Sequence, residues 1–361
     1  MRKFDYSKLQ DKKIIDNEII SNVIKIHEYK TCQKLYETQK IPTLTLNRLI
    51  NISKTQSTKA SNSIEGIMTT ESRLQKIVDD KIKPQNKEEY EILGYKNLLD
   101  LIHQNYQHIQ LNSNYILQLH KNLYKYSSLE FAGKFKSTNN FLTETSKDGE
   151  TKVIFTPLDP FETPNAVKSI CENYKNALAL NTITPLILIP IFILDFLCIH
   201  PFLDGNGRMS RLLTLLLLYQ NNFLVGRYIS LEKEILDTLD DYYNAIRLSN
   251  KNWHSGKNDY KPFIKYFLSI TYKCYKDLEE RITTTNKLGK KLNSYDIVKN
   301  YVSNTIGKFS KRDVLLSCPT IGSSSVEAAL KKLVENKLIS RLGSGKNTAY
   351  VKKKSFKEEK V

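Results

Sequence analysis

Polar and ionisable side chains stand between two strongly apolar segments in the middle of the chain. The segments read PLILIPIFILDFLC, from Pro185 to Cys198, and LLTLLLLY, from Leu212 to Tyr219. The stretch between them, HPFLDGNGRMSR, supplies His200, Asp204, Asn206, Arg208 and Arg211. Burying ionisable groups is costly unless they are paired. Their presence here indicates a functional site.

The residue types in this stretch suit the binding of an anion. Gly205-Asn206-Gly207 is expected to begin the helix that continues through the leucine run, and such a start offers free backbone N–H groups and the positive end of the helix dipole. Arg208 and Arg211 are three residues apart on one predicted face, so both can reach the same polyphosphate.

Two further residues complete a set able to perform nucleotidyl or phosphoryl transfer. Asp204 stands directly before the helix start, where one carboxylate can hold a Mg²⁺ ion already bound to phosphates. His200 precedes it and is the natural proton acceptor near neutral pH. The flanking apolar helices would support these groups rigidly.

Other kinds of site fit the sequence less well. The remaining histidines show no spacing typical of zinc ligands. No Gly-Lys pair is followed by Ser or Thr, which argues against a P-loop. A purely structural role for the polar groups does not explain two arginines beside a glycine-rich helix start.

The stretch HPFLDGNGRMSR resembles the signature of the Fic/Doc family, HPFx[DE]GNGRxxR, and fills every fixed position. The resemblance implies transfer of AMP from ATP to a hydroxyl side chain of a target protein. It also implies that His200 takes the proton from that hydroxyl and that Asp204 holds Mg²⁺ on the α- and β-phosphates.

The resemblance assigns the phosphates to the rest of the motif. Asn206 and the backbone of Gly205 and Gly207 would stabilise the α-phosphate, while Arg208 and Arg211 would engage the β and γ groups. Transfer of another phosphate-containing group stays open, since some relatives use other donors.

Two more segments resemble parts of the family's site. Residues 133–160, which include GKFKSTNNF and VIFTPLDP, look like the hairpin flap that holds the target by strand pairing, with Lys136 where an arginine is common. Tyr243 and Asn250, in YYNAIRLSNKN, fall at positions that would contact adenine. The alternative for this second segment is an ordinary helix rich in aromatic residues.

An upstream motif resembles the inhibitory helix of some Fic proteins, the class II arrangement with the pattern [ST]xxxE[GN]. SNSIEG supplies Ser61, Glu65 and Gly66, with Gly66 as the expected C-cap. A Glu65 carboxylate directed at Arg211 would occupy the arginine needed for the γ-phosphate. The alternative is an unpartnered surface glutamate. The resemblance also allows Glu65 to position water for removal of AMP.

Composition bounds the class of protein. The 361 residues carry a formal net charge of +17, which favours an anionic partner or reflects a lysine-rich surface. The five cysteines are scattered and show no C-x-x-C pair, which favours a reducing compartment. We expect a cytoplasmic protein with no membrane partner, because no signal peptide and no spanning segment is evident.

Hydrophobic periodicity predicts a mainly α fold with one β-hairpin. The resemblance implies that the helices form a Fic-type helical bundle and that the hairpin is its flap. The hairpin's strands are expected in KFKSTNNFL and KVIFTP, around the turn ETSKDGE. A boundary is predicted at NKLGKKLN, residues 286–293. Beyond it, three helical patterns at 294–305, 310–317 and 323–337 and a β-turn-β element, ISRLGSGKNTAYVK, predict a small α+β winged helix.

Three regions follow from this organisation. Residues 1–85 would be an N-terminal helical region with the inhibitory motif at 61–66, residues 86–285 a catalytic core with its flap at 133–160 and signature at 200–211, and residues 294–355 the winged helix. Lys331, Lys332 and Lys337 lie on or next to the third predicted helix of this last region. The predicted wing is surrounded by Arg341, Lys346, Lys352, Lys353 and Lys354.

The leading hypothesis is therefore an ATP- and Mg²⁺-dependent protein adenylyltransferase that also modifies itself and is autoinhibited through Glu65. Its target protein would dock on the flap at 133–160. A homodimer, and DNA bound by residues 294–355, stay open as further partners. The alternative hypothesis is a DNA-binding regulator that uses the nucleotide site only as a sensor.

Overall fold

The structure is a computed structural model that describes residues 2–6, 14–38, 43–145, 151–288, 293–305, 307–318, 321–345 and 348–353. Most of them are helical, which confirms the predicted fold class. The helices are α1 (Asn17–Thr38), α2 (Thr43–Ile64), α3 (Glu71–Val78), α4 (Lys87–Asn105), α5 (Ser113–Leu123), α6 (Thr163–Leu180), α7 (Pro185–Ile199), α8 (Asn206–Gln220), α9 (Leu231–Asp237), α10 (Leu239–Ser249), α11 (Lys261–Leu288), α12 (Ser294–Asn304), α13 (Lys311–Ser317) and α14 (Ser323–Glu335). The strands are β1 (Leu142–Thr145), β2 (Thr151–Phe155), β3 (Lys308–Ser310), β4 (Ile339–Leu342) and β5 (Ala349–Lys352).

The chain divides into two compact units, one of residues 1–28 and 53–275 and the other of residues 29–52 and 276–361. These divisions fall inside α1, α2 and α11. Helix α11 runs to Leu288, into the predicted linker, whose residues 289–292 lie outside the described residues. The predicted three-region boundaries stay a prediction. Among the described helices, none combines the length and the apolar character needed to cross a membrane.

Helices α7 and α8 form the centre of the first unit. The sequence of α7 is apolar on every side, and such a helix is stable only when neighbours surround it. It packs against α6 and α8, and α8 also packs against α4. Nearly all of α7 and α8 is buried, so the loop between them is held by rigid elements at both ends.

A residue in the left-handed backbone conformation stands at each end of this loop. His200 ends α7 with φ 51°, and its N–H donates to the Phe196 carbonyl at 2.9 Å. Gly205 precedes α8 with φ 82°. A non-glycine residue in the left-handed region is uncommon and costs about 1 kcal/mol. The strain at His200 is therefore a cost that the surrounding structure offsets at the predicted site.

Helix α2 is fixed to the first unit by hydroxyl groups spaced four residues apart. The Ser53 hydroxyl donates to the Gly226 carbonyl at 3.1 Å, and the Ser57 hydroxyl donates to the Glu232 carboxylate at 2.6 Å. Ser61, one turn further along, is also fully buried. Because residues four apart share one helix face, these hydroxyls form a single polar stripe on α2.

The flap hairpin differs from its prediction in one strand. β1 and β2 pair antiparallel, with Thr143 opposite Val153, but β1 begins at Leu142 and residues 134–141 form no strand. That segment instead contacts the loop after α7, because the Lys136 N–H donates to the Pro201 carbonyl at 2.9 Å. The turn residues 146–150 lie outside the described residues.

Besides parts of α1, α2 and α11, the described residues of the second unit form α12, α13, α14 and a three-stranded antiparallel sheet of order β3-β5-β4. Val326, Leu330 and Leu333 of α14 are buried in its core, as their helical spacing predicts. Ser310 caps α13 in a capping box with Asp313. Strand β3 was not predicted, because three residues are too short to show alternation. The winged-helix identity stays a prediction, and Lys346 and Lys354 lie outside the described residues.

Candidate active site

The loop between α7 and α8 is held by its own buried side chains. Phe202 is fully buried, and its ring stacks on the His120 ring at a centroid distance of 3.7 Å. The Asn206 side chain accepts from the Phe202 N–H at 2.9 Å and donates to the Phe202 carbonyl at 2.7 Å. Asn206, predicted to contact phosphate, thus uses its side chain to close the loop.

The imidazole of His200 is prepared to accept a proton. Its Nδ1 lies 3.3 Å from the Leu197 carbonyl, which can only accept, so Nδ1 carries the proton and Nε2 keeps a free lone pair. Burial lowers the pKa of His200 to about 4, against a smaller raising effect of the Leu197 carbonyl. The ring is therefore neutral at pH 7, the form a general base requires.

Lys136 and Asn140 hold the backbone that carries His200. The buried Lys136 ammonium donates to the Ile199 carbonyl at 3.1 Å and to Asn140 Oδ1 at 2.8 Å. Asn140 in turn donates to the Phe202 carbonyl at 3.1 Å. Burial lowers the pKa of Lys136 to about 8. Sequence reasoning noted Lys136 without finding this role, because the contact joins segments more than sixty residues apart.

Arg211 contacts Ser61 and Glu65 of the SNSIEG motif, and its pairing with Glu65 is the contact predicted. Its Nε donates to the Ser61 hydroxyl at 2.8 Å, and its Nη2 donates to the Ser61 carbonyl at 2.9 Å and to Glu65 Oε1 at 2.7 Å. Glu65 follows the end of α2, and Gly66 adopts φ 75°, which confirms the predicted C-cap. The arginine is almost fully buried, while the Glu65 side chain is 34% exposed.

At the start of α8, the backbone of Gly207 lies directly against the Glu65 carboxylate. A Cβ atom added at Gly207 would collide with Glu65 Oε1. The bare glycine lets the carboxylate lie directly against the first turn of α8, where free N–H groups and the helix dipole favour negative charge.

Arg208 points away from Arg211, although the sequence analysis expected both to hold one polyphosphate. Its Nη1 lies 2.7 Å from Glu91 Oε2, and its Nη2 donates to the Tyr124 hydroxyl at 2.7 Å. The guanidinium also lies over the Tyr124 ring. Three residues separate the two arginines, about 300° around a helix, so neighbouring elements can pull them to different partners.

Asp204 keeps a largely accessible carboxylate beside α8. Its Oδ1 accepts from the Gly205 N–H at 2.6 Å, its Oδ2 lies 3.7 Å from Arg208, and its side chain is 58% exposed. The His120 ring connects it to the base of the flap segment. Nε2 donates to the Asp204 carbonyl at 3.0 Å, and Nδ1 accepts from the Gly133 N–H at 2.9 Å.

A cavity of about 770 Å³ lies over this loop. The predicted site residues in its lining are Glu65, His200, Gly207, Arg211, Tyr243 and Asn250. Ser61, Gly66, Asp204, Gly205, Asn206 and Arg208 lie outside the lining. The structure therefore brings the proposed base, the bare helix start, one arginine and the predicted adenine contacts to one cavity.

The lining also contains residues that sequence reasoning missed. From α10 and its start come Asp240, Tyr242, Asn244 and Arg247, and the flap contributes Leu142, Thr143, Ile154 and Phe155. Tyr243, Arg247 and Asn250 recur at four and three residues, so the helical period would have identified Arg247. The described residues hold no group of three or more His, Cys, Asp or Glu side chains able to bind a metal.

Comparisons with known proteins find similarity over part of the chain. Residues 110–218 match the Fic/DOC family. The chain is 25% identical over 162 residues to a protein adenylyltransferase of Caenorhabditis elegans, covering 44% of this chain and 27% of that protein. It is 33% identical over 82 residues to a Fido domain-containing protein of Dictyostelium discoideum, covering 23% of this chain and 52% of that one. The chain thus spans about a quarter to a half of the lengths of these relatives.

Solved structures share the fold over more of the chain. A Fic family protein of Desulfovibrio desulfuricans matches with a TM-score of 0.61 at 18% identity, covering 95% of this chain and 98% of that one. A Fic domain-containing signalling protein of Bacteroides thetaiotaomicron matches with a TM-score of 0.56 at 23% identity, covering 72% and 95%. These structures share the fold, and the segment that matches the Fic/DOC family, residues 110–218, contains His200, Gly207 and Arg211.

Proposed function

We propose that this protein is a protein adenylyltransferase that transfers AMP from ATP to a hydroxyl side chain of a target protein and of itself. The observation that carries the proposal is the neutral imidazole of His200, with its free Nε2, in a cavity that also holds Gly207 and Arg211. A base, an anion-binding helix start and a cation for phosphate are the minimum that nucleotidyl transfer requires.

The transfer step follows from these groups. The target hydroxyl oxygen attacks the α-phosphorus of ATP while its proton passes to His200 Nε2. The bond from the α-phosphorus to the oxygen that bridges to the β-phosphate breaks, and pyrophosphate leaves with both electrons of that bond. The α-phosphate oxygens would lie against the N–H groups at the start of α8, and Arg211 would neutralise the leaving phosphates.

Mg²⁺ is the metal that this reaction calls for, and Asp204 fits it. A single exposed carboxylate next to a phosphate site is a common way for proteins to hold Mg²⁺, with phosphate oxygens and water as its other ligands. Bound there, the ion would neutralise charge on the phosphates and favour departure of pyrophosphate.

The adenine base and the target segment have separate surfaces. Tyr243 is half exposed and lines the cavity with Asn250, so its ring can stack on the base while Asn250 offers hydrogen bonds. We propose that the target adds a strand to the flap, whose Val153 and Ile154 are about half exposed. Lengthening the two-stranded sheet in this way would bring the hydroxyl towards His200.

Glu65 would act as a built-in inhibitor. Its carboxylate binds Arg211 and lies against Gly207, the two places that the triphosphate needs. ATP can bind productively only after Glu65 leaves. Because the side chain is 34% exposed, it can move into solvent without a large rearrangement of the core. The same carboxylate, once displaced from Arg211, could orient a water for hydrolytic removal of AMP.

The test is auto-modification of the purified protein with ATP labelled at the α-phosphate. We expect Glu65→Gly to raise label incorporation by roughly tenfold or more, the worth of one charge-assisted pair, and Glu65→Asp, which keeps the charge but shortens the side chain, to give an intermediate rise. His200→Ala in the Glu65→Gly background should lower it by roughly 10²- to 10⁴-fold. Equal labelling of wild type and Glu65→Gly would contradict the inhibitory role.

The sensor hypothesis predicts a different result from the same variants. A sensor binds ATP and needs no base, so Glu65→Gly would bind ATP without transferring AMP. His200→Ala would then leave the ATP affinity unchanged. Titration calorimetry beside the labelling assay separates the two functions. Incubating modified AMP-protein with Glu65→Gly and wild type, and measuring AMP release, tests the removal reaction.

We propose further that residues 294–355 form a winged-helix module. The order of helices and the β3-β5-β4 sheet support it. Its binding partner is open, because Lys331 and Lys311 approach acidic side chains, Glu335 at 4.0 Å and Glu327 at 3.0 Å, which reduces the net charge offered to DNA. A gel shift of the full chain across a salt series tests DNA binding, whose affinity must fall steeply with salt.

A further inference from the structure

The segment from Arg2 to Tyr6 inserts alternate side chains into the first unit. The side chains of Phe4 and Tyr6 are buried, and that of Arg2 is only 5% exposed, whereas Lys3 is exposed. An extended segment directs successive side chains to opposite sides, so one face of this segment belongs to the core. Neither the proposed reaction nor the inhibitory contact uses these residues.

The segment meets a buried carboxylate on α7. Asp195 is fully buried and accepts hydrogen bonds from the Tyr6 hydroxyl at 2.8 Å, the Trp253 indole N–H at 2.6 Å and the Tyr260 hydroxyl at 2.9 Å. Burial raises the pKa of Asp195, and the charge of Arg2, 3.5 Å away, is the strongest of the influences that oppose it. Without Arg2, the carboxylate would keep only neutral partners among these groups.

Arg2 also fixes the chain after α10. Its Nη2 donates to Asn258 Oδ1 at 2.9 Å and to the Tyr260 hydroxyl at 2.6 Å, and its Nη1 donates to the Trp253 carbonyl. The guanidinium lies over the Trp253 ring, 4.5 Å from its centroid. We refer to Arg2, Asp195, Trp253, Asn258 and Tyr260 as the Arg2 latch. It holds Trp253 by its ring, its indole N–H and its carbonyl.

Trp253 connects the latch to the cavity in two directions. The Phe155 ring, at the end of β2, packs edge-on against the Trp253 ring with centroids 6.3 Å apart, and His254 donates to the Thr156 carbonyl at 2.9 Å. The Trp253 N–H donates to the Asn250 carbonyl at 3.1 Å. Phe155 and Asn250 both line the cavity. The latch therefore supports one strand of the flap and one of the predicted adenine contacts.

We infer that Arg2 is a positioning residue for this cavity, acting through Trp253 on the second flap strand and on Asn250. The inference rests on the proposed function where it concerns ATP, and on the geometry alone where it concerns the flap. Arg2 touches no reacting atom. Its role is to fix the position of Trp253, which in turn fixes the positions of Phe155 and Asn250.

Trp253 is the single tryptophan of the chain, so intrinsic fluorescence reports on the latch directly. We expect Arg2→Ala to shift the emission to longer wavelength and to raise the acrylamide quenching constant about threefold, as one indole face becomes open to solvent. Hydrogen–deuterium exchange should increase at 151–156 and 250–256. Lys3→Ala, the matched control on the exposed side of the segment, should match wild type in both. Unchanged exchange at 151–156 in Arg2→Ala overturns the inference.

ATP affinity gives the second measurement, in the Glu65→Gly background so that the inhibitory carboxylate is absent. Arg2→Ala should weaken ATP binding about tenfold, because Asn250 is no longer held in place before ATP binds, whereas Lys3→Ala should leave the affinity unchanged. Arg2→Lys keeps the charge but loses the planar set of N–H donors. It should therefore restore part of the ATP affinity. Altered fluorescence with unaltered ATP affinity would mean a purely structural latch and overturn the positioning role.

The two measurements also separate this inference from the proposed function. If Glu65→Gly itself binds no ATP, the proposed function fails, and exchange at the flap in Arg2→Ala still decides whether the latch positions the cavity. If Arg2→Ala lowers the melting temperature too far for these assays, Arg2→Lys takes its place. An Arg2→Lys protein with wild-type hydrogen exchange, fluorescence quenching and ATP affinity would show that the several hydrogen bonds of the guanidinium are dispensable. That result would overturn the inference.

Discussion

Arg208 and Arg211 are the same residue type on the same helix, three positions apart, yet they occupy opposite kinds of environment. Arg208 meets Glu91 where the two side chains are 1% and 5% exposed. Arg211 meets Glu65, whose side chain is 34% exposed and lines the cavity. Both pairs have the same closest distance, 2.7 Å. Distance does not distinguish them, but the accessibility of the carboxylate does.

The difference teaches which pair can be exchanged for a ligand. Removing one member of a fully buried pair leaves an uncompensated charge, at a cost of about 3–5 kcal/mol. Glu65 can instead enter solvent, and a phosphate can take its place against Arg211 and Gly207. We therefore expect Arg208 to contribute to stability and Arg211 to nucleotide binding and transfer, and four measurements can break or sharpen that division.

The largest expected effect is on stability. Arg208→Met should lower the free energy of unfolding by about 3–5 kcal/mol, because the buried Glu91 then keeps only the exposed Lys87, 3.9 Å away, as a cation. Urea denaturation of the variant and of Arg211→Met measures the contrast directly, since Arg211→Met should lose far less. In the double variant Arg208→Met/Glu91→Met both charges are gone, and most of the loss should be recovered. Equal losses in the two single variants would abolish the division.

The next effect is on transfer. In the Glu65→Gly background, Arg211→Ala should lower the initial rate of AMP incorporation by roughly 10²- to 10³-fold, as the leaving phosphates lose a preorganised cation. The melting temperature should change little. Arg211→Lys should restore part of the rate because it keeps the charge. A rate within a factor of two of the Glu65→Gly parent would remove Arg211 from the phosphate site.

Acidity should weaken both regions, since a neutral buried histidine serves each. Burial lowers the pKa of His120, beside Arg208, to about 4, and the pKa of His200 likewise to about 4. Between pH 6.5 and 4 the unfolded chain binds more protons at these sites, so stability falls as pH falls. At pH 5 we expect a loss of about 2 kcal/mol per histidine relative to pH 7.

Urea unfolding at pH 7 and pH 5 measures this loss. In His120→Gln, the loss of unfolding free energy between pH 7 and pH 5 should be smaller by the contribution of one histidine. Replacement of the exposed His108 by Gln should leave the pH dependence of stability as in wild type. If the pH dependence of the unfolding free energy is unaltered in His120→Gln, the contribution assigned to His120 is wrong.

The smallest effect concerns the hydroxyl beside the exchangeable pair. Ser61→Ala removes the bond to Arg211 Nε while keeping Glu65, and should raise auto-modification about fivefold, the worth of about 1 kcal/mol. Ser63→Ala, at a half-buried neighbour in the same turn, is the matched control. A Ser61→Ala protein as active as Glu65→Gly would mean that the hydroxyl, not the carboxylate, carries the inhibition.

Much of this site could be read from the sequence, because its chemistry is local. The helix start at 205–207, the partly exposed His200 before it and the Ser61–Glu65 motif each depend on spacings of a few residues. The fold class followed from helical periodicity in the same way. The pairing of Glu65 with Arg211 spans 146 positions, and it was predictable only because the motif resembles a known arrangement.

The remainder depends on contacts that no local pattern contains. Spacing put Arg208 and Arg211 on one face, but Glu91 of α4 draws Arg208 elsewhere. The residues before β1 alternate like a strand, yet Lys136 and Asn140 are used to hold the loop after α7. The Arg2 latch joins residues about 190 to 260 positions apart. Such long-range partners decide side-chain direction and are visible only once the chain is folded.

The hydroxyl stripe on α2 has a consequence for how the protein responds to a signal. Ser53, Ser57 and Ser61, followed by Glu65, repeat every four residues. Ser53 contacts Gly226, Ser57 contacts Glu232, and Ser61 and Glu65 both contact Arg211. A turn of α2 by one residue, about 100°, displaces every one of these contacts together. Partial displacement is thus unfavourable at all intermediate angles. We expect the helix to behave as a two-position switch, fully seated or fully released, rather than as a graded control.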